Sequence, residues 1–441
     1  MSPFNTALLA AVALVLPMAG GAAPATSPHS GWQVRTLPVG RSFSEPGVAA
    51  GRGAVMLASA CTANANRPAT FWRSRDAGTH WRRVVIGSPS TACGDADTAI
   101  GSDGYEYAAL LASGIEIYRS RNGRSWAGPA KFPFPHGSDQ PDRPWIVTVP
   151  GRPDVVHVFN SEVSGNIVEW TSHDHAASFS GPTLVTGGVN SEAALTLASR
   201  PLVDPAHPSQ MQMFYETAGL AGILPSIGSG GLVQFPFSQL WRASSDDGGR
   251  TWDNSLVLDV PSAFARSGTL GHLLPAAAVD RTGRAYVVVS VQLGSRLSTH
   301  LYLLRSRRSG GWSHPVRIDH AGASNVYPAV AVGAPGQVYV SWYASSAGSF
   351  NDDTARWHEM VATTRHGLAA HPHFSARRIG PTAHVGAIEE AGAIGFDLGE
   401  DWTLRDFQSI VVDSCGRPHA FWASDYRGDD HVFTARRPAA C

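Results

Sequence analysis

A repeated alternation of apolar runs and glycine turns is the dominant pattern along this chain of 441 residues. In the clearest copies an apolar run leads through a glycine turn into a second apolar run, and three copies align on Gly283, Gly336 and Gly416. A strand with one solvent-exposed face alternates apolar and polar residues. These runs are too continuously apolar for that, so they predict inner strands that are buried on both sides. With looser copies there are seven units, which begin near residues 45, 96, 144, 200, 274, 327 and 406.

A second repeated phrase marks the turn that follows the third strand of a unit. Its best copy, Ser-x-Asp-x-Gly-x-Thr-Trp, spans residues 245–252. The Asp carboxylate can accept hydrogen bonds from backbone N–H groups of its own turn, and the Gly supplies the positive φ that a tight turn needs. The Trp can fold its ring back under the sheet, where it acts as a hydrophobic plug. The turn residues that we expect to be structural are Asp76, Gly78, Trp81, Asp174, Asp247, Gly249 and Trp252.

These phrases resemble the Asp-box, or BNR-repeat, of sialidase-like β-propellers. Residues 74–81 give a second good copy, and residues 120–126, 172–179 and 306–312 give decayed ones. The resemblance implies an all-β fold in which each unit is a four-stranded blade, and it places the box turns on the face away from any active site. We therefore predict a seven-bladed β-propeller, with six blades as the alternative because sialidases have six.

The rest of the chain adds no second domain to this picture. Residues 32–37 can supply the outer strand that the last unit lacks and so close the ring, which removes open sheet edges. Residues 218–239 and 368–402 look like insertions in the fourth and sixth units. We predict one propeller domain over residues 26–441.

The first 25 residues have the pattern of an export signal. The apolar run from Ala7 to Leu16 is too short to span a bilayer, and Ala23-Pro24-Ala25 fits the small-x-small cleavage pattern. No other stretch approaches a transmembrane length. We therefore expect a cleaved signal peptide, a secreted monomer, and an environment that permits disulfides.

Four cysteines allow three pairings, and the predicted strand order favours one of them. Cys61 ends a second strand and Cys93 precedes the next inner strand, so both belong on the same face of adjacent blades. Cys415 lies in an inner-strand turn and Cys441 follows the third strand of the same unit, so both belong on the opposite face. The predicted disulfides are Cys61–Cys93 and Cys415–Cys441.

The composition of the chain bears on which classes of molecule the protein can bind. Charged residues make up 16% of the chain and the net charge is -1, whereas an average protein has about 25% charged residues. Nothing suggests a basic surface for nucleic acid. The histidines are scattered, no phosphate-binding loop is present, and we expect neither a metal nor a cofactor.

In a propeller, the starts of the inner strands and the loops between the second and third strands converge on one face around the axis. Polar residues at those places are therefore the site candidates: Arg41, Ser44, Glu45, Asp95, Asp97, Asp142, Arg143, Trp145, Glu162, Glu192, Arg200, Glu216, His272, Asn325, Tyr327, Tyr343, Arg405, Asp406 and Asp425. A funnel that holds several carboxylates and arginines suits glycan chemistry, with one carboxyl as acid and another as base or nucleophile. An inner-strand carboxylate that only caps backbone N–H groups in the channel is the competing interpretation.

The resemblance implies an exo-α-sialidase, in which three arginines hold the sugar carboxylate, a Tyr–Glu pair supplies the nucleophile, and an Asp is the acid/base. The chain departs from that pattern because no Arg-Ile-Pro phrase stands near the first inner strand. The residues predicted to be catalytic are Glu45, Asp142, Glu216, Tyr343 and Asp406. Those predicted to bind substrate are Arg41, Arg143, Trp145, Tyr327 and Arg405. Two alternatives stay open: a non-catalytic propeller that binds glycan or protein through the same face, and a polysaccharide lyase.

Overall fold

The computed structural model describes residues 31–38, 43–61, 68–87, 93–112, 114–132, 141–162, 165–187, 193–219, 237–271, 274–294, 298–319, 322–388, 403–404, 407–426 and 430–438. The predicted signal peptide and its cleavage site lie outside these ranges. So do Arg41, Glu192, His272, Arg405, Asp406 and Cys441, whose predicted roles stay predictions.

The described residues form seven antiparallel sheets, and six of them are built only from strands that follow one another in the chain. The N-terminal strand is β1 (Gln33–Thr36). Blade 1 contains β2 (Gly47–Ala50), β3 (Met56–Ala60), β4 (Thr70–Ser74) and β5 (Arg82–Val84), and a short 3₁₀ turn covers Arg52–Ala54. Blade 2 contains β6 (Ala96–Ile100), β7 (Glu106–Leu111), β8 (Ile115–Ser120) and β9 (Ala127–Lys131). Blade 3 contains β10 (Pro141–Val149), β11 (Arg152–Glu162), β12 (Ile167–Ser172) and β13 (Ser180–Leu184).

The other four blades follow the same order. Blade 4 contains β14 (Ala193–Ala198), β15 (Leu202–Val203), β16 (Met211–Gly219), β17 (Gln239–Ser245) and β18 (Asp253–Asp259), and the helix α1 (Val260–Phe264) follows it. Blade 5 contains β19 (Gly268–Leu270), β20 (Ala276–Val279), β21 (Ala285–Leu293), β22 (Thr299–Arg305) and β23 (Val316–Arg317). Blade 6 contains β24 (Ser324–Val332), β25 (Val338–Ser345), β26 (Arg356–Thr364) and β27 (Ser375–Val385). Blade 7 contains β28 (Ser409–Val412), β29 (Pro418–Ser424) and β30 (His431–Arg436).

The protein is a seven-bladed β-propeller, so seven rather than six is the number of blades. Strand β1 pairs antiparallel with β30, for example Val34 with Ala435, and thereby becomes the outer strand of blade 7. The two ends of the described chain thus share one sheet, which closes the ring that the sequence predicts.

Two details of the predicted strand map are wrong. The inner strands of blades 4 and 5 begin earlier than expected, and each is split into two short strands that pair with the same second strand. The predicted insertion at residues 368–402 is in part regular structure, because Ser375–Val385 is the outer strand of blade 6. Its later portion, residues 389–402, lies outside the described residues.

The turns between third and fourth strands hold themselves together as their composition suggests. In blade 4, Ser245 Oγ accepts the N–H of Gly249 at 2.9 Å, and Asp247 Oδ1 accepts the N–H groups of Arg250 and Thr251, each at 3.0 Å. The Thr251 hydroxyl, which donates to the same carboxylate, and these N–H groups lower the pKa of Asp247 to about 2 despite some opposing desolvation. Blades 1, 2 and 3 repeat the scheme around Asp76, Asn122 and Asp174.

The turn aromatics pack onto a neighbouring sheet rather than under their own. Trp252 of blade 4 meets Phe159 of blade 3 edge to face, with ring centroids 5.8 Å apart. Trp81 of blade 1 meets Phe421 of blade 7 in the same way at 5.5 Å. Each plug therefore joins two blades, which explains why the phrase recurs around the ring.

A disulfide joins Cys61 and Cys93 with their Cα atoms 5.7 Å apart, the pairing that the strand order predicts. It ties the end of β3 in blade 1 to the residues just before β6 in blade 2. Cys415 is also disulfide-bonded, and its predicted partner lies outside the described residues. No helix within the described ranges is long and apolar enough to cross a membrane.

Candidate functional site

Successive strands of a blade run in opposite directions, so the inner strands all start on one face of the ring. We call this the hub face, and the opposite face, which carries the Ser-Asp turns, the turn face. Five inner strands have a proline within or next to them, at Pro46, Pro144, Pro201, Pro275 and Pro328, and in blades 4 and 5 the proline lies between the two halves of the split strand. Proline cannot donate to the strand ladder, so the pairing is interrupted there.

The residues before three of these prolines have unusual backbone conformations. Glu45, Leu274 and Tyr327 adopt φ values of 51°, 69° and 52°, although none of them is glycine. Each such residue costs on the order of 1–3 kcal/mol, and this strain persists only where surrounding contacts enforce it. In blades 3 and 6 the ladder also slips by a bulge at this level. The hub face is therefore where the ring departs from regular sheet geometry.

Arg143 lies at the centre of a compact cluster on that face, which we call the hub cluster: Glu45, Asp95, Arg143, Trp145 and Phe407. Its Nη2 lies 3.0 Å from Asp95 Oδ1 and 3.6 Å from Glu45 Oε1. The guanidinium carbon lies 3.7 Å from the ring centroid of Phe407 and 4.9 Å from that of Trp145. Contacts from blades 1, 2, 3 and 7 thus hold one arginine, by charge and by cation–π attraction.

Below this cluster, a second arginine crosses the channel. Arg200 of blade 4 donates hydrogen bonds to the carbonyls of Val48, Thr98 and Ile146, which occupy matching positions on the inner strands of blades 1, 2 and 3. Its Nη2 also lies 3.4 Å from Asp97 Oδ2. Burial raises the pKa of Asp97, and the positive charge of Arg200 partly offsets that effect.

A cavity of about 420 Å³ follows the axis of the ring. Trp145, Phe407 and Arg200 line it together with Ala, Val and Ile side chains of the inner strands. A concave, mostly apolar space with a few fixed polar groups is the usual form of a small-molecule site.

The other predicted aromatic residues do not face this cavity. Tyr343 is fully buried between blades 6 and 7, where its hydroxyl donates to the carbonyl of Ala423 and accepts from the N–H of the same residue. Burial, with the nearby Glu359 charge, raises the pKa of Tyr343 well above its ordinary value. Tyr327 is buried and meets the Tyr343 ring edge to face at 6.2 Å. The arrangement serves packing between blades, and the predicted roles of both tyrosines in a site stay predictions.

The predicted acidic residues are spread over different places. Glu45 belongs to the hub cluster, and Asp142 is half-exposed at the bulge beside Arg143. Glu216 is almost completely buried in blade 4, where burial raises its pKa well above the ordinary value. The structure thus brings Glu45, Arg143 and Trp145 together, and it keeps Tyr343 apart from them on the second strand of blade 6.

Sequence reasoning overlooked two residues. Phe407 aligns with Leu274 and Tyr327 at the start of an inner strand, which was the available signal that it faces the hub. Glu359 is the one carboxylate of β26 and is fully buried. No group of three or more His, Cys, Asp or Glu side chains that could hold a metal ion occurs in the described part of the chain.

No family model matches this sequence, and no curated protein matches it. Solved structures do match its fold. An ulvan lyase is similar with a TM-score of 0.55 and 10% identity, over 90% of this chain and 93% of that one. A lectin from Burkholderia pseudomallei is similar with a TM-score of 0.52 and 14% identity, over 88% and 98%.

A sialidase from Trypanosoma rangeli is similar with a TM-score of 0.44 and 11% identity, over 92% of this chain and 58% of that one. At such identities the likeness to the ulvan lyase and to the lectin establishes the propeller fold alone. A shared fold does not determine function.

Proposed function

We propose that this propeller binds glycans at the hub face. The observation that carries the proposal is the hub cluster, in which Arg143 holds the rings of Trp145 and Phe407 at the wall of the axial cavity. A sugar ring has apolar C–H faces and a polar rim. The fixed aromatic rings suit the C–H faces, and the nearby carboxylates suit the polar rim. Asp95 and Glu45 already offset the charge of Arg143, so Arg143 acts as a positioning residue for the rings.

We extend the proposal to the class and location of the protein. The Ser-Asp turns support membership in the Asp-box group of sialidase-like propellers, and the Cys61–Cys93 disulfide supports export, with removal of residues 1–25. In this proposal the mature protein is a single-domain monomer that meets its glycan outside the cell.

Glycoside hydrolysis is the second candidate, and one observation favours it. Glu45 and Asp95 both contact the same Nη2 atom of Arg143, so their carboxyl groups are close neighbours, as the acid and the nucleophile of a retaining glycosidase must be. Hydrolysis of a sialoside would also need Arg41 and Arg405 at this cluster, because a sialidase holds the sugar carboxylate with three arginines. It gains nothing from Tyr343, whose hydroxyl is engaged by Ala423.

The test is a glycan-array screen of the mature protein, run beside a fluorogenic sialoside assay. We expect retention on at least one class of glycan. Arg143→Lys keeps the charge but loses the planar fork and the stacking, and it should weaken retention about tenfold. Asp142→Asn tests the half-exposed Asp142 beside the cluster and leaves the buried Glu45 and Asp95 unchanged.

Arg250→Ala, an exposed substitution on the turn face, is the matched control and should change retention less than about twofold. Turnover of the sialoside that Glu45→Gln or Asp95→Asn abolishes would promote hydrolysis over simple binding. Absence of both retention and turnover would overturn the two candidates together.

A further inference from the structure

A second cavity lies on the turn face, between blades 6 and 7. Its volume is about 280 Å³, and we call it the turn-face pocket. The lining residues that matter here are Gln337, Tyr339, Arg365, His366, His373 and Arg437. They come from the start of β25, from the turn between β26 and β27, and from the end of β30.

The charge of this pocket is uncompensated. No Asp or Glu is among the residues that line it, and neither Arg365 nor Arg437 forms a salt bridge within the described part of the chain. Burial raises the pKa of Tyr339, while the positive charges of Arg437 and Arg365 lower it, so both guanidinium groups act on the same phenol. Two arginines that converge without a carboxylate leave room for an external anion.

The floor of the pocket offers a neutral donor. Tyr339 is almost completely buried, and its hydroxyl oxygen accepts a hydrogen bond from Gln337 Nε2. The hydroxyl hydrogen is therefore left to donate to a ligand. Because burial raises the pKa of Tyr339, the phenol keeps that hydrogen at neutral pH.

The rim is held in place by bonds that do not use the lining charges. The N–H of Gly367 donates to Gly336 O at 2.8 Å, and the N–H of His366 donates to Thr364 Oγ1 at 3.1 Å. Arg305 of blade 5 donates to the carbonyl of Gly367, which anchors the turn to the neighbouring blade. The backbone of the loop is thus held in place, and binding needs little ordering of the loop itself.

We propose that the turn-face pocket binds a sulfate or phosphate group. Guanidinium forks match the planes of oxygen atoms that such a tetrahedral anion presents, and the Tyr339 hydroxyl and the imidazoles of His366 and His373 supply further donors. The volume is near the lower end of small-molecule pockets, about 300 Å³, so a sugar that carries the anionic group also fits. This site is separate from the hub cluster and does not depend on the proposed glycan site.

Calorimetric titration of the full mature protein tests the proposal, with sodium sulfate and sodium phosphate against sodium chloride at matched ionic strength. Glucose 6-sulfate and glucose form a second pair that separates a free ion from a sugar ester. We expect sulfate or phosphate to bind and chloride not to. Tighter binding of glucose 6-sulfate than of sulfate would identify the ester as the natural source.

The variant Arg365→Gln/Arg437→Gln should weaken anion binding at least tenfold, and each single substitution should weaken it in part. Arg307→Gln/Arg308→Gln makes the same change of charge on the neighbouring turn of blade 5 and is the matched control. An equal loss in the control pair would overturn the proposal, because it would reveal a general effect of surface charge. No preference of the wild type for sulfate or phosphate over chloride would overturn it as well.

Discussion

The interface between blades 1 and 2 and the interface between blades 6 and 7 each bury a glutamate, and they surround it in opposite ways. The carboxylate of Glu106 accepts hydrogen bonds of 2.6–2.9 Å from Nε and Nη2 of Arg73 in the neighbouring blade. Glu359 has no hydrogen-bond partner among the described residues, although Ser341 and Gln408 are close enough to lower its pKa slightly against the dominant effect of burial.

The contrast shows that burial of a glutamate between two blades does not by itself decide whether it finds a partner. Glu106 forms a salt bridge with Arg73, whereas burial raises the pKa of Glu359 and so favours its neutral, protonated form. A second paired case supports this: Glu169 accepts Trp252 Nε1–H at 2.9 Å and lies 2.6 Å from His157 Nδ1.

The largest expected effect comes from breaking the paired site. Arg73→Ala leaves the carboxylate of Glu106 buried without a counter-charge and should lower the free energy of unfolding by about 3–5 kcal/mol. Urea denaturation of the wild type and the variant measures it. The double variant Arg73→Leu/Glu106→Leu removes both charges and should recover much of the loss. Equal instability of the single and double variants would contradict an electrostatic cause.

The next largest loss of stability is expected from a steric clash with Glu169, the second paired glutamate. A Cβ on Gly249 would lie 2.2 Å from Glu169 Oε1, in a residue with φ of 86°. Gly249→Ala should therefore cost about 3 kcal/mol, from backbone strain together with the clash. Its neighbour Gly248 has φ of 76° and nothing within 4 Å of such a Cβ, so Gly248→Ala should cost only about 1–2 kcal/mol. Equal losses in thermal or urea unfolding would refute the close approach.

The unpaired site should respond in a pH-dependent way. Because burial raises the folded-state pKa of Glu359, its contribution to stability is fully present below the ordinary glutamate pKa and is lost as pH rises toward the folded-state value. Each pKa unit of that difference is worth about 1.4 kcal/mol. Glu359→Gln should match the wild type near pH 4.5 and be more stable at pH 8, as urea midpoints at both values would reveal.

Glu106→Gln is the matched control for that experiment, since the same substitution leaves Arg73 buried without its carboxylate and should destabilise the protein at pH 8. Parallel stability–pH curves for the wild type and Glu359→Gln would mean that the pKa of Glu359 is the same in the folded and the unfolded protein, contrary to the expectation.

Much of the fold could be predicted because its signals are local. The glycine turns and the Ser-x-Asp-x-Gly phrases act within a few residues, so the number of blades, the closing strand β1 and the Cys61–Cys93 pair all follow from order along the chain. The split inner strands were missed because prolines interrupt them in a way that depends on contacts with other blades.

The site was harder to predict because it is assembled from distant segments. Sequence order alone placed Glu45, Arg143 and Trp145 on the same face. It could not reveal that Phe407 completes the cluster from blade 7, nor that Arg200 donates to carbonyls of three other blades.

The sequence by itself determined a closed ring of seven glycine-punctuated blades, since period, turn chemistry and burial pattern are properties of neighbouring residues. The tertiary structure decided which buried charges find partners. That outcome depends on distances of a few ångströms between blades, and residues far apart in the chain set those distances only when the ring closes.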